Sequence, residues 1–215
     1  VLIAVTAVLL VPPRVMPVAG RAERPVPDRE RAATWLLSGG LVAAVVAATS
    51  IGAHAASSAV AIGFSEATAG ALVAAGGLAG LAVRIAAGIR ADRVQGGALV
   101  AAAVLCVMGA AGWLLMASLM PALFVAGLLA ANAFGWGWPG LVHLAVARRF
   151  PESTAAASGI TQTGVALGLL LGPPLVGYVA VSEGWRWAWI GAAAAALVGA
   201  AVIVSARGRL LRVAG

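Results

Sequence analysis

Lysine is absent from this sequence, cysteine occurs once, and charged residues make up only 10% of the 215 residues. A lone cysteine cannot form an internal disulfide, and Cys106 lies inside an apolar stretch, where we predict a packing role and no metal site. A soluble domain carries about 25% charged residues. The scarcity of charge therefore argues against a soluble globular protein.

What the chain does contain is apolar sequence, with 62% hydrophobic residues gathered into six long stretches. Each stretch is long enough to cross a hydrocarbon core of about 30 Å as a helix. Because lipid offers the backbone no hydrogen-bonding partner, we predict an all-α membrane protein. The predicted spans are Ala33–Ala56, Ala67–Ile89, Gly96–Ser118, Pro121–Ala147, Ala155–Val181 and Trp187–Ala206.

The fourteen basic residues are all arginine, and they alternate between the gaps that separate the spans. One set of gaps and the C-terminal tail carry nearly all of them, Arg186 lies alone on the other side, and Arg84 lies within a span. The positive-inside rule places the arginine-rich side in the cytoplasm, which predicts a multi-pass protein of the cell membrane with a cytoplasmic C-terminus. The net charge of +7 is thus a topology signal, and no nucleic-acid partner is predicted.

Before the first span, residues 1–13 are apolar but too short to cross, and we interpret them as the end of a truncated transmembrane helix. A signal peptide is the alternative interpretation, but the segment lacks a positive n-region. Residues 14–32 are rich in proline and arginine and predict a cytoplasmic linker. Residues 33–215 then form the six-helix domain.

Three motifs resemble those of major facilitator superfamily transporters. The sequence Gly88-Ile-Arg-Ala-Asp92-Arg93 resembles the family's Gly-x-x-x-Asp-Arg signature between its eighth and ninth helices. Residues 148–177, with Gly164, Gly168 and Gly172-Pro173-Pro174, resemble its eleventh helix, and residues 184–187 resemble the start of its twelfth. In place of the basic residues that many members carry after Asp-Arg, this chain has residues 94–97, Val-Gln-Gly-Gly.

The resemblance implies the C-terminal half of a secondary transporter, a bundle of two inverted three-helix repeats that moves a small-molecule substrate by alternating access. It also implies that Gly88, Asp92 and Arg93 form a cytoplasmic latch against the missing N-terminal half of the same chain. An ordinary charged turn is the alternative for these three residues. A half-size scaffold or accessory subunit that does not transport is the alternative function.

The fourth span is the most informative for substrate. Its glycines and Pro139 weaken the helix, which transporters tolerate where a helix lines a cavity. On a continuous helix, Asn132, Trp136 and His143 share a narrow arc, whereas Trp138 points elsewhere, into packing or lipid. We therefore predict that these three residues line a substrate cavity. The alternative is a core or interfacial Trp136 with His143 near the headgroups.

Further candidates lie on three other spans. Ser38 and Thr49 share a face of the first span and are predicted to line the cavity, although hydroxyls also bond back to their own helix. Arg84 is a candidate for anion binding or gating, with snorkelling to the surface as the alternative. Gly164, Gly168 and Gly172 recur every fourth residue and predict a helix-packing ridge, which Pro173 follows with a bend. A hinge for rocking between transport states is the alternative.

No catalytic constellation is recognisable. The segment Gly63-Phe64-Ser65-Glu66-Ala67 lacks the second glycine of the G-x-S-x-G pattern, and His54 and His143 lie near opposite predicted membrane faces. We therefore predict no enzyme activity and no cofactor. No acidic residue lies in the middle of a predicted span, so for proton coupling we expect the titrating carboxylate in the missing half, with His143 as the weaker local candidate.

The arginine distribution generates a test of topology. In intact cells, cysteines introduced as Ser57→Cys and Ser182→Cys should react with a membrane-impermeant thiol reagent, whereas Asp92→Cys should not. Reaction at position 92 from outside the cell would contradict the predicted orientation.

Overall fold

The computed structural model describes residues 24–93 and 96–214, and these residues form seven helices. The fourth and fifth together make one span, so six segments are long and apolar enough to cross a membrane, as predicted. The helices are α1 (Asp28–Ala61), α2 (Glu66–Arg93), α3 (Ala98–Ala117), α4 (Pro121–Gly135), α5 (Pro139–Arg149), α6 (Thr154–Ser182) and α7 (Trp185–Ala214).

The first helix begins at Asp28, five residues before the predicted apolar span. Pro27 precedes it with extended backbone, and its carbonyl accepts hydrogen bonds from the Glu30 and Arg31 amides at 2.9 and 3.0 Å. The end of the predicted linker is thus the first turn of α1. The rest of the linker and the predicted truncated helix lie outside the described residues, apart from Arg24–Pro27, which has no regular structure.

The packing order fits two related units of three spans. The first unit is the predicted repeat 33–118, with α1, α2 and α3, and the second is 121–206, with α4 to α7. Helix α1 of the first unit packs on α6 and α7 of the second, and α4 of the second packs on α2 and α3 of the first. If the units are exchanged, so that α1 and α4, α2 and α6, and α3 and α7 take each other's places, the contacts of α1 become those of α4. The equivalent helices α3 and α7 also pack on each other. Because each unit has three spans, the second starts from the opposite membrane face, as the predicted inverted repeats require.

Glycines on α6 allow its close approach to α1. A Cβ at Gly164 would collide with the backbone and hydroxyl of Ser38, and one at Gly172 would collide with the Thr49 hydroxyl. Gly168 faces Val45, whose Cβ would be only 2.6 Å from an added methyl group. The ridge therefore lies directly against α1. Helix α6 stays helical through Pro173 and Pro174, and the Pro173 carbonyl accepts a 2.8 Å hydrogen bond from His54 Nε2.

An ion-pair cluster joins three helices at the arginine-rich end, which we define as the end of the bundle where α2, α5 and α7 finish. Glu30 is 5% exposed, and its Oε1 accepts a hydrogen bond from Arg149 Nη2 at 2.9 Å. The same nitrogen lies 3.5 Å from the Leu210 carbonyl of α7. Arg148 reaches the Ala91 carbonyl near the end of α2 at 3.2 Å. Arginines here complement the negative ends of helix dipoles.

The glycine ridge predicts a sharp contrast between two Gly→Ala substitutions on α6. Gly164→Ala should lower the free energy of unfolding by about 1–3 kcal/mol, because the new methyl group overpacks the α1 contact. Gly159→Ala meets nothing within 4 Å and should be neutral or stabilising by about 0.5–1 kcal/mol. Thermal unfolding in detergent, followed by circular dichroism, measures both. Equal effects would contradict the close α1–α6 contact.

The buried ion pair predicts a second contrast. Glu30→Gln should destabilise the protein by about 2–3 kcal/mol, less than a fully buried pair, because the Arg149 side chain is 33% exposed. Glu152→Gln breaks the Arg24–Glu152 pair, whose side chains are 72% and 59% exposed, and should cost about 1 kcal/mol or less. Denaturant titration of each variant tests the difference, and a larger loss for Glu152→Gln would contradict it.

Candidate functional site

The centre of the fourth span is interrupted by three residues. Helix α4 ends at Gly135, helix α5 begins at Pro139, and Trp136, Gly137 and Trp138 connect them. Pro139 has no amide hydrogen and disfavours helical backbone at the residue before it, so the break follows from the local sequence. About 22 Å of helix precedes the break and about 16 Å follows it. The break therefore lies near the middle of the span.

Arg84 of α2 contacts this break. Its Nε donates a 2.8 Å hydrogen bond to the Trp136 carbonyl, which receives no backbone hydrogen bond among the described residues. Its guanidinium carbon lies 5.5 Å from the centre of the Trp136 ring, within the range of a cation–π interaction. The carbonyl, the indole and the cation thus stabilise one another, and the other guanidinium nitrogens make no hydrogen bond within the described chain.

A pocket of about 290 Å³ adjoins this pair, between α2 and α5. Arg84, Gly88 and Asp92 line it from α2, and Gly137, Gly140 and Leu144 line it from the break and α5. Arg84 is exposed on the surface of the described bundle. A guanidinium at this depth is unfavourable against lipid tails. The Arg84 surface therefore fits contact with water or protein better than contact with lipid.

The break also changes the predicted arrangement of the fourth span. The arc that joined Asn132, Trp136 and His143 assumed a continuous helix, and the interruption at residues 136–138 removes that assumption. Asn132 is 8% exposed, packs against Gly76 of α2 and donates its side-chain amide to the Leu128 carbonyl at 3.0 Å. His143 is exposed, and Trp136 is half-buried. Trp138 is 1% exposed, so it lies in the core and not against lipid.

Two cavity candidates on α1 lie elsewhere than predicted. Ser38 is buried beneath Gly164, and its hydroxyl donates a 2.7 Å hydrogen bond to the Ile160 carbonyl of α6. Thr49 is buried beneath Gly172 and bonds back to the Val45 carbonyl at 2.8 Å. Both hydroxyls are satisfied within the α1–α6 contact. They belong to helix packing and not to a cavity wall, because the glycine ridge brings α6 over that face of α1.

The loop motif occupies the last turns of α2. Asp92 and Arg93 are exposed and have no hydrogen bond or ion pair among the described residues. Gly88 lies within the continuous helix, and an added Cβ would meet nothing within 4 Å. A sharp turn or close approach at Gly88 is therefore absent from the described bundle. The turn instead includes Gly96 and Gly97, both with positive φ.

Sequence reasoning missed the polar contacts that cross between helices. Glu30 and Arg149 are 119 residues apart, and nothing in either local sequence indicates the other. His54, which the sequence places near one predicted membrane face, forms a hydrogen bond with the Pro173 carbonyl and has its ring centre 6.0 Å from that of Trp185. The Arg84–Trp136 contact had a partial signal, since both residues were candidates for the substrate site.

Comparison with known proteins agrees with this architecture. The family model described as Major Facilitator Superfamily matches residues 33–210, which include most of α1 and α7 and all the helices between them. No curated protein and no solved structure matches the chain significantly.

Proposed function

The chain belongs to the major facilitator superfamily of membrane transporters, and from this membership we propose that residues 33–210 form the C-terminal half of a secondary transporter that moves a small organic solute by alternating access. The partner in this proposal is an N-terminal half of the same chain, packed against α2 and α6. These two spans are the least buried, with 11% and 22% of their most apolar windows covered.

The Arg84–Trp136 pair is the observation that carries the proposal. Arg84 lines a pocket and contacts the Trp136 ring, at a helix break near the middle of the fourth span. Broken helices at the bilayer midplane are a common way for transporters to form substrate sites. We assign Trp136 as a wall of the substrate site and Arg84 as its anion-binding or gating residue.

The chemistry of the pair favours a solute with an apolar or aromatic body and a negatively charged or polar group. Trp136 offers a flat apolar surface for stacking, and the unoccupied guanidinium nitrogens of Arg84 suit a carboxylate or a similar planar anion. Held by the Trp136 carbonyl, the guanidinium is oriented before the substrate arrives, which reduces the entropy lost on binding. His143, exposed on α5, is a second polar group on the same span.

The orientation follows from the arginine distribution. We propose that the arginine-rich end faces the cytoplasm of a cell membrane, with the C-terminus on that side. Asp92 and Arg93 then meet the partner half at the cytoplasmic surface. Asp92 suits the positive end of a partner helix, because a carboxylate accepts hydrogen bonds from free backbone amides there.

Transport by the full-length protein tests the substrate site. Trp136→Ala should raise the KM for a transported solute about tenfold or more, because a stacking surface worth roughly 1–3 kcal/mol is lost. Arg84→Gln should raise the KM mainly for anionic members of a substrate panel. Uptake into proteoliposomes, normalised to the amount of folded protein, measures both effects.

A matched control separates recognition from folding. Trp187 on α7 is 56% exposed, and Trp187→Ala should leave transport near the parent value. Trp138→Ala should instead destabilise the protein by about 3–5 kcal/mol, since this indole is fully buried. Equal KM changes for Trp136→Ala and Trp187→Ala would contradict the assigned site. Absence of transport for the whole panel would favour the scaffold function.

A further inference from the structure

A second pocket, of about 560 Å³, opens at the arginine-rich end and is lined by more arginines than the pocket beside Arg84. Arg148 and Arg149 line it from α5, and Arg207 lines it from α7. Asp92 is the acidic residue among its described lining, so positive charge predominates. Its other walls are largely apolar and include Leu99, Phe150 and Leu210. A basic pocket with apolar walls suits an amphipathic anion.

The three arginines differ in whether their guanidinium groups already form hydrogen bonds or ion pairs. Arg149 pairs with Glu30, and Arg148 donates to the Ala91 carbonyl. Arg207 is partly exposed and makes no hydrogen bond or ion pair within the described chain. The pocket thus contains a guanidinium with all its donors available and a second, Arg148, with donors to spare.

A groove of about 670 Å³ continues from this pocket along α2 and α3. Both cavities are lined by Gly96, Gly97 and Ala98, so they are contiguous at the start of α3. The groove passes Ala101 and Val104 and reaches Leu105 and Phe134. From Ala98 to Leu105 it follows α3 for roughly 10 Å toward the middle of the membrane. Arg90 is the charged residue among the described lining of the groove, and it lies at the groove's arginine-rich end.

We propose that these two cavities bind one anionic phospholipid, with its phosphate beside Arg148 and Arg207 and one acyl chain in the α2–α3 groove. The contiguity of a basic pocket with an apolar groove carries this inference, because a free phosphate would leave the groove empty and a lipid without net charge would leave the excess positive charge of the pocket unbalanced. Basic pockets between transmembrane helices are suited to anionic headgroups. The site adjoins the proposed substrate site, because Asp92 lines both the basic pocket and the pocket beside Arg84.

Native mass spectrometry of the full-length protein in detergent tests the headgroup contact, with phosphatidylglycerol as the probe. Arg207→Gln should weaken phosphatidylglycerol binding about fivefold, and combining it with Arg148→Gln should weaken it more than tenfold. Arg209→Gln makes the same charge change two residues away on α7, outside the described lining, and should stay within about twofold of the parent. Equal losses for Arg207→Gln and Arg209→Gln would overturn the proposal.

A second pair of variants tests the acyl-chain groove without altering charge. Ala101→Trp fills the groove and should weaken binding of long-chain phosphatidylglycerol about tenfold, whereas Ala111→Trp, on the same helix but outside the groove lining, should not. Circular dichroism checks that both variants remain folded. Phosphatidylglycerol binding that is unaffected by Ala101→Trp would overturn the assignment of the groove to an acyl chain.

Two further probes identify the chemical source of the anion. Phosphatidylcholine of the same chain length should bind at least tenfold more weakly than phosphatidylglycerol. Inorganic phosphate at millimolar concentration should not displace the bound lipid. Equal binding of phosphatidylcholine would show that charge is irrelevant, and displacement by inorganic phosphate would show a free-anion site. Either result would overturn the proposal.

Discussion

The need to satisfy backbone polar groups without water is the constraint on which this structure depends. Continuous helices meet it along most of each span, so the places where a helix stops or breaks are the places that need a donor. Arginines provide it twice, from Arg84 to the Trp136 carbonyl and from Arg148 to the Ala91 carbonyl. Each contact also stabilises the guanidinium, which would be unfavourable against lipid alone. The scarce charges therefore act as structural groups as well as topology signals.

Close packing at small residues brings the helices near enough for these arginine contacts to form. Lipid tails are as apolar as leucine, so helices in a membrane gain little from burying large apolar side chains and more from close backbone approach. Gly164 and Gly172 bring α6 onto α1, while Gly76 brings α2 onto Asn132 of α4. The equivalent role of α6 in one unit and α2 in the other follows from the exchange symmetry of the packing. Only with α2 this close to the fourth span can Arg84 reach Trp136.

How much of this could be predicted depends on the range of the interaction. The six spans, their alternation and the weak point near Pro139 follow from composition and local sequence, and the structure has each of them. The rotation of each helix does not follow, because it is set by contacts with distant segments. Ser38 shows this: its hydroxyl looked available on α1 alone, but Gly164, which covers it, comes 126 residues later in the sequence. Glu30, in the predicted linker, became a buried partner of Arg149 for the same reason.

The least buried span carries the groups that we assign to function. Only 11% of the most apolar window of α2 is buried, against 56% for α1, yet α2 holds both Arg84 and the Asp92-Arg93 pair. Elements that move or bind a partner come from the less stable part of a fold, because their contacts must be exchanged and not kept. Helix α1, fixed between α6 and α7, is suited to act as the rigid frame. Arg84 then joins the least buried described span to a span whose backbone is broken, so a change in the environment of Arg84 would affect both.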